Sequence, residues 1–61
     1  MKQLYKYQGA VYNGKTIYKT VTEYIHADTQ MQALMLLGLR MYKKCKIRLW
    51  MDMDKLSEVT S

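Results

Sequence analysis

The sequence predicts an α+β fold with the element order ββαβ, in which a three-stranded, antiparallel-type sheet carries one helix packed on one face. Three observations support this fold class. Residues 3–11 and 16–26 are rich in Tyr, Thr, Val and Ile and flank Asn13-Gly14, a strong hairpin signal. A long apolar segment then follows residues typical of a helix start. Finally, residues 45–53 alternate between apolar and polar side chains, as a strand does.

The register of the hairpin depends on the length of its turn. A two-residue loop would place polar residues such as Lys6 and Gln8 among the apolar positions of the second strand. A three-residue loop, Tyr12-Asn13-Gly14 with Gly14 left-handed, aligns odd positions with odd positions and gives one consistent apolar face. The expected inner face carries Tyr5, Tyr7, Gly9, Val11, Ile17, Val21 and Ile25, with Lys19 and Glu23 as exceptions at its rim. The expected outer face carries Lys6, Gln8, Ala10, Thr16, Tyr18, Thr20, Thr22 and Tyr24.

The helix is expected from about residue 30 to residue 44. Thr29 and Gln32 fit a capping box, and Asp28 also suits a helix start. The periodicity predicts that the sheet is covered by Ala33, Leu34, Leu37 and Met41. A second apolar arc lies beside that face and contains Met31, Met35, Gly38, Leu39 and Tyr42. Together the arcs exceed half of the helix circumference, which is more than three strands can cover. We therefore expect an interface with a second copy or another partner, formed by Met31, Met35, Leu39 and Tyr42.

The last strand is expected over about residues 45–53, beside the first strand. Its alternation places Cys45, Ile47, Leu49, Met51 and Met53 towards the helix. The opposite side carries Lys46, Arg48, Trp50, Asp52 and Asp54. The chain is therefore divided into a single ββαβ domain over residues 1–54 and a short C-terminal tail over residues 55–61.

The outer face of the predicted sheet combines aromatic rings with cations, a composition typical of sheets that bind single-stranded nucleic acid. Rings stack on bases, and cations meet phosphates. The helix end adds a further basic cluster. The residues expected to contact DNA or RNA are Lys6, Tyr18, Tyr24, Arg40, Lys43, Lys44, Lys46, Arg48 and Trp50. An alternative interpretation is that tyrosines and threonines simply suit an exposed sheet and that a neighbouring chain covers Trp50.

The charge of the chain favours polyanionic partners. Ten Lys and Arg residues oppose five Asp and Glu residues, giving +5 at pH 7. This balance argues against an inhibitor that mimics DNA, which would be acidic. The longest apolar run, residues 33–39, is far shorter than the roughly 20 residues of a membrane span. We expect a soluble, cytoplasmic protein with a reduced thiol at Cys45 and no membrane partner.

No set of residues predicts catalysis. His26 is the single histidine, Cys45 is expected to be a buried inert thiol, and Asp52 and Asp54 lack further metal ligands. The motifs of nucleotide-binding loops and nucleophilic triads are missing. We therefore expect a protein that is not an enzyme and that has no metal, cofactor or small-molecule substrate.

Several short motifs resemble those of known small proteins. They are Tyr5-Lys6-Tyr7-x-Gly9, Asn13-Gly14-Lys15, Lys19-Thr20-Val21-Thr22-Glu23-Tyr24-Ile25-x-Ala27-Asp28-Thr29 and Gln32-Ala33-Leu34. Over about residues 2–50 the chain resembles short hairpin-helix-strand proteins, such as the archaeal ribosomal LX family, and small phage accessory proteins. The first resemblance implies an RNA-binding module. The second implies a role in host takeover or against host defence, inside an infected bacterium. Neither implies a functional residue.

These observations lead to three hypotheses. The first is a homodimeric, non-enzymatic module that binds DNA or RNA through the basic and aromatic surface. The second is a protein-binding regulator, such as a phage-encoded inhibitor of a host or anti-phage defence enzyme, with the Met-rich arc or the Trp50 face as its contact. The third is a structural subunit whose apolar arc is buried by a different chain.

Overall fold

A computed structural model describes residues 2–59 and has one helix packed on an antiparallel sheet, which confirms the α+β class. Over this range the sheet has four strands rather than three, because the C-terminal segment supplies two short ones. The elements are β1 (Gln3–Asn13), β2 (Thr16–Ala27), α1 (Gln30–Cys45), β3 (Trp50–Met51), a 3-10 turn (Met53–Lys55) and β4 (Leu56–Glu58).

Strand β1 lies in the centre of the sheet. β2 pairs with one side of it along its whole length, and β3 and β4 pair in succession with the other side. The last strand therefore lies beside the first, as expected. The 3-10 turn between β3 and β4 passes close to Gly9, where a Cβ atom would lie 2.7 Å from Cγ of Lys55. Glycine at this position lets the turn approach the central strand.

The hairpin confirms the odd-with-odd alignment but reaches it in a different way. From Gln3 opposite Ala27 to Val11 opposite Lys19, odd positions face odd positions. Beyond Val11 the register shifts, so that Tyr12 faces Ile17 and Tyr18 is the extra residue of a β-bulge. The turn itself is Gly14-Lys15, with Gly14 left-handed at φ 65°. The expected three-residue loop at Tyr12-Asn13-Gly14 is therefore wrong.

The bulge reverses the two faces of β2 near the turn. Ile17 was expected on the inner face, but it lies opposite Tyr12 and is exposed. Tyr18 was expected on the outer face, but it lies on the helix side, near Cys45. Both expectations fail for one physical reason, since one additional residue in a strand with a period of two exchanges its faces.

The helix follows its local signals closely. Thr29 Oγ1 accepts a hydrogen bond from the Gln32 backbone N–H at 3.1 Å, and Gln32 Oε1 accepts one from the Asp28 backbone N–H at 2.6 Å. At the other end Lys46 adopts a left-handed conformation, with φ 62°, and its N–H donates to the Tyr42 carbonyl. These caps satisfy groups that the helix itself leaves unpaired. The expected range of 30–44 is confirmed to within one residue.

The core lies between the helix and the inner face of the sheet. Helix α1 contributes its expected buried face, with Leu34 only partly buried. The buried residues are Tyr5, Tyr7, Val11, Ile25, Ala27, Ala33, Leu37, Met41, Leu49 and Leu56.

The C-terminal segment differs from the expectation. Cys45 still belongs to the helix, the pairing of β3 is limited to Trp50–Met51, and Met53 is exposed. The expected tail instead contains strand β4, in which Leu56 is buried opposite Tyr7. The left-handed cap at Lys46 delays the strand, and β4 fills the part of the β1 edge that short β3 leaves unpaired. Residues 60 and 61 of the expected tail, and Met1, lie outside the described residues.

The hydroxyl of Tyr7 links β1 to the C-terminal segment. It donates a hydrogen bond to the Ala10 carbonyl at 2.6 Å and accepts one from the Asp52 backbone N–H at 3.0 Å. Burial raises the pKa of Tyr7 above its ordinary value of 10.0. The folded protein therefore holds this proton more tightly than the unfolded chain does.

Replacing Tyr7 by Phe should destabilise the protein by about 1–2 kcal/mol at neutral pH, because the Ala10 carbonyl and the Asp52 backbone N–H each lose their hydrogen bond to the Tyr7 hydroxyl. Above pH 10.0 the unfolded chain releases the Tyr7 proton before the folded protein does, so stability falls as the pH rises. The Tyr7→Phe variant should lose less stability than the native protein over that range. Urea unfolding at neutral pH and above pH 10.0 measures the stability of both proteins. The matched control is Tyr24→Phe, because the Tyr24 ring is exposed. Equal effects of the two substitutions would contradict the assigned role of the Tyr7 hydroxyl.

Candidate nucleic-acid interface

The structure does not gather the residues expected to contact nucleic acid on one surface. Lys6 and Tyr24 lie opposite each other in register on the outer face, with the Lys6 ammonium 6.0 Å from the ring centroid. Trp50 lies opposite Tyr12, and Tyr12 is six residues after Lys6 in β1. At about 3.3 Å per residue these two positions are about 20 Å apart. The outer face therefore holds two separate aromatic–cation pairs.

Tyr18 is removed from the outer face by the bulge. Its side chain lies near the end of the helix, where the interaction with the Cys45 thiol, followed by the charge of that group, raises the pKa of Tyr18. Lys19 lies beside it, with its ammonium 5.9 Å from the Tyr18 ring centroid. The sequence places Lys19 at the inner rim of the sheet, so Lys19 is not among the residues expected to contact nucleic acid. The bulge brings it next to the end of helix α1.

Arg40 is engaged within the chain. Its Nη1 atom donates to Glu23 Oε1 at 3.3 Å and to the Tyr24 carbonyl at 2.9 Å. The Leu4 carbonyl accepts a hydrogen bond from the Val59 backbone N–H. The backbone N–H and C=O groups of even-numbered β1 residues therefore point towards β4, and those of odd-numbered residues point towards β2. The Tyr24 carbonyl therefore points to the free edge of β2. Arg40 blocks that edge, a common protection against further strand pairing.

Five exposed cations collect at the end of the molecule where helix α1 ends, and we call this group the basic end: Lys19, Lys43, Lys44, Lys46 and Arg48. Within residues 2–59, no ion pair involves any of them. The chain has ten basic and five acidic residues, so the five basic residues elsewhere balance the five acidic ones. The basic end therefore carries a charge equal to the whole net charge of +5.

A row of one aliphatic and two aromatic side chains crosses the sheet beside the basic end. Tyr12 has Ile17 on one side and Trp50 on the other, so all three side chains lie on the same face. The Arg48 guanidinium lies 5.1 Å from the Trp50 ring centroid. The Tyr12 hydroxyl donates to Asp52 Oδ2 at 3.0 Å, and this bond raises the pKa of Tyr12. The sequence identified Trp50 and Arg48 but not this row, which depends on the register shift.

The expected second arc of helix α1, which contains Met31, Met35, Leu39 and Tyr42, is exposed. Each of these side chains is between 52% and 64% accessible. Beside the arc, an open groove of about 640 Å³ separates the helix from β3. The groove is lined by Leu34, Met35, Gly38, Leu39, Tyr42, Arg48, Leu49, Trp50 and Met51. Its lining is therefore apolar, apart from Arg48.

Over the described residues, no group of three or more His, Cys, Asp or Glu side chains is placed to hold a metal ion. None of the helical segments in this part of the chain has the length and apolarity to cross a membrane. Comparison with known proteins finds no matching family model, no matching curated protein and no matching solved structure.

Proposed function

We propose that this chain is a non-enzymatic nucleic-acid-binding module that contacts phosphates through the basic end. The observation that carries the proposal is the location of the charge. A charge equal to the entire net charge of +5 sits on five exposed side chains at one end of the molecule. Such a concentrated positive field attracts polyanions and orients their approach.

Trp50 supplies an aromatic surface next to these cations. Its ring is half exposed, and Arg48 lies over it. Stacking of a base on an aromatic ring contributes about 1–3 kcal/mol and needs an unpaired base. We therefore favour single-stranded DNA or RNA over duplexes. The proposed contact set is Lys19, Lys43, Lys44, Lys46, Arg48 and Trp50.

The remaining expected residues have weaker support. Arg40 is bonded to Glu23 and to the backbone of β2, and Tyr18 faces the helix end. Lys6 and Tyr24 lie about 20 Å from Trp50 along the sheet. These two form a second position on the outer face, which a longer strand of nucleic acid reaches after it leaves Trp50.

The test is a salt titration of binding to a labelled single-stranded oligonucleotide, followed by anisotropy and by Trp50 fluorescence. With five phosphate contacts, the logarithm of the association constant should fall with the logarithm of salt concentration with a slope of about −3.5. Stacking should also quench Trp50, the single tryptophan of the chain. A binding constant that does not change with salt, or no binding at low salt, would refute the proposal.

A further inference from the structure

We propose that the exposed arc of helix α1 is covered by a second copy of this chain. The arc, formed by Met31, Met35, Leu39 and Tyr42, runs for three turns along one side of the helix. It spans about 16 Å at 1.5 Å per residue. All four side chains are more than half exposed, although the other large apolar residues of the helix, Leu34, Leu36, Leu37 and Met41, are buried or packed against the core.

The size of the arc suits an interface. Each of its four side chains exposes on the order of 100 Å², so the arc alone exposes about 400 Å² of largely apolar surface. The largest apolar patch of a monomeric protein is about 300–600 Å², and it is often functional. A standard interface buries about 800 Å² on each partner. The walls of the adjoining groove, including Leu34 and Met51, extend this apolar surface beyond the arc.

The charge distribution favours a second copy as the occupant. No charged side chain lies on the arc, so two arcs can meet without bringing like charges into contact, although each chain carries +5. Arg40 is held on the β2 side of the helix by Glu23 and the Tyr24 carbonyl. An uncharged apolar stripe is complementary to itself, which is the requirement of a two-fold symmetric interface. Methionine side chains adapt readily to such a contact.

The sheet edges offer no comparable route to a dimer. Arg40 occupies the edge of β2 at Tyr24, and the bulge at Tyr18 distorts the same edge further along. On the other side, β3 and β4 are two and three residues long and are separated by a 3-10 turn. Extension of the sheet by a second chain is therefore disfavoured on both sides, whereas the arc is open.

The experiment is light scattering after size exclusion over a range of concentrations, in high salt and after nuclease treatment. These conditions prevent nucleic acid from bridging two copies, so the result is independent of the proposed phosphate contacts. We expect a mass of twice 7.3 kDa for the native protein. Leu39→Lys, and Met35→Lys as a second variant, should raise the dissociation constant at least about 10-fold and give the monomer mass.

Ile17→Lys is the matched control. Ile17 and Leu39 are both 60% exposed, and the two substitutions change the charge equally, but Ile17 lies on the outer face of the sheet. This variant should remain a dimer, and circular dichroism should show that all variants keep the fold. A native protein of monomer mass overturns the proposal. A native protein whose arc is covered by a different protein, and not by a second copy, overturns it as well. A dimer that Ile17→Lys dissociates and Leu39→Lys leaves intact also overturns it.

Discussion

Replacing Lys43 and Lys44 together by Gln should lower the affinity for single-stranded nucleic acid by roughly 10- to 100-fold at low salt. Both lysines are exposed in the last turn of helix α1 and have no ion-pair partner within residues 2–59. Each phosphate contact contributes about 0.7 to the salt slope for a single strand. The slope should therefore become shallower by about 1.4. Gln suits a helix nearly as well as Lys does, so the fold should persist.

The matched control is the pair Lys2→Gln and Lys6→Gln, which removes the same charge from another part of the molecule. Lys6 lies on the outer face beside Tyr24, about 20 Å from Trp50. The control should lower the affinity several-fold less than the Lys43 and Lys44 variant does. If the two variants lose equal affinity, net charge alone determines binding. If the control loses more, the outer face around Lys6 is the site and the basic end is not.

Much of the fold could be predicted because its signals are local. The capping box at Thr29 and Gln32 identifies the start of the helix, and the spacing of Ala33, Leu37 and Met41 identifies its buried face. The parity of the hairpin also follows from the sequence, since burial of one apolar face selects the register. The helix signals depend on residues within a few positions of each other, and the parity of the hairpin depends on the alternation within each strand.

The bulge could not be predicted, because its position depends on contacts distant in sequence. Lys19 and Glu23 already interrupt the apolar positions of β2, so the sequence does not single out Tyr18, and Gly14 suits more than one turn. In the structure, the extra residue directs Tyr18 towards Cys45 at the end of the helix. Its placement therefore depends on where the helix ends, 27 residues later in the sequence.

The candidate site could be predicted only in part, because its arrangement also depends on contacts between residues distant in sequence. The sequence identified the cations of residues 40–48 and the aromatic Trp50, but it placed Lys46, Arg48 and Trp50 on one sheet face with Tyr18 and Lys6. The structure separates this set. The helix end and the bulge bring Lys19 to the other cations, while Arg40 is drawn away by Glu23. Which basic residues are available for a partner is thus decided by tertiary contacts that composition does not reveal.

The C-terminal segment was assigned to a tail because its apolar residues show no extended pattern. Leu56 is one apolar residue between Lys55 and Ser57, and β4 contains only three residues. It forms because β3 pairs with β1 only at Val11 and Tyr12, which leaves the edge at Tyr5–Tyr7 open. A short strand that completes an open edge has no periodicity to detect.

Replacing Leu56 by Ala should therefore destabilise the protein by about 2–5 kcal/mol, the usual cost of removing a buried leucine side chain from a core. Leu56 is only 5% exposed and belongs to the core with Tyr7 and Leu37. A chain of this length has a total stability of roughly 3–9 kcal/mol. The variant should thus be largely unfolded or unfold at a much lower urea concentration.

Val59→Ala is the control for this prediction. Val59 is exposed, and its backbone N–H, which donates to the Leu4 carbonyl, is retained in the variant. We expect its urea midpoint, followed by circular dichroism at one protein concentration, to stay close to that of the native protein. If β4 is assigned correctly, the two variants should differ greatly in stability, because the Leu56 side chain fills the core and the Val59 side chain faces solvent. Equal, small effects at Leu56 and Val59 would instead support a C-terminal tail that does not contribute to the sheet.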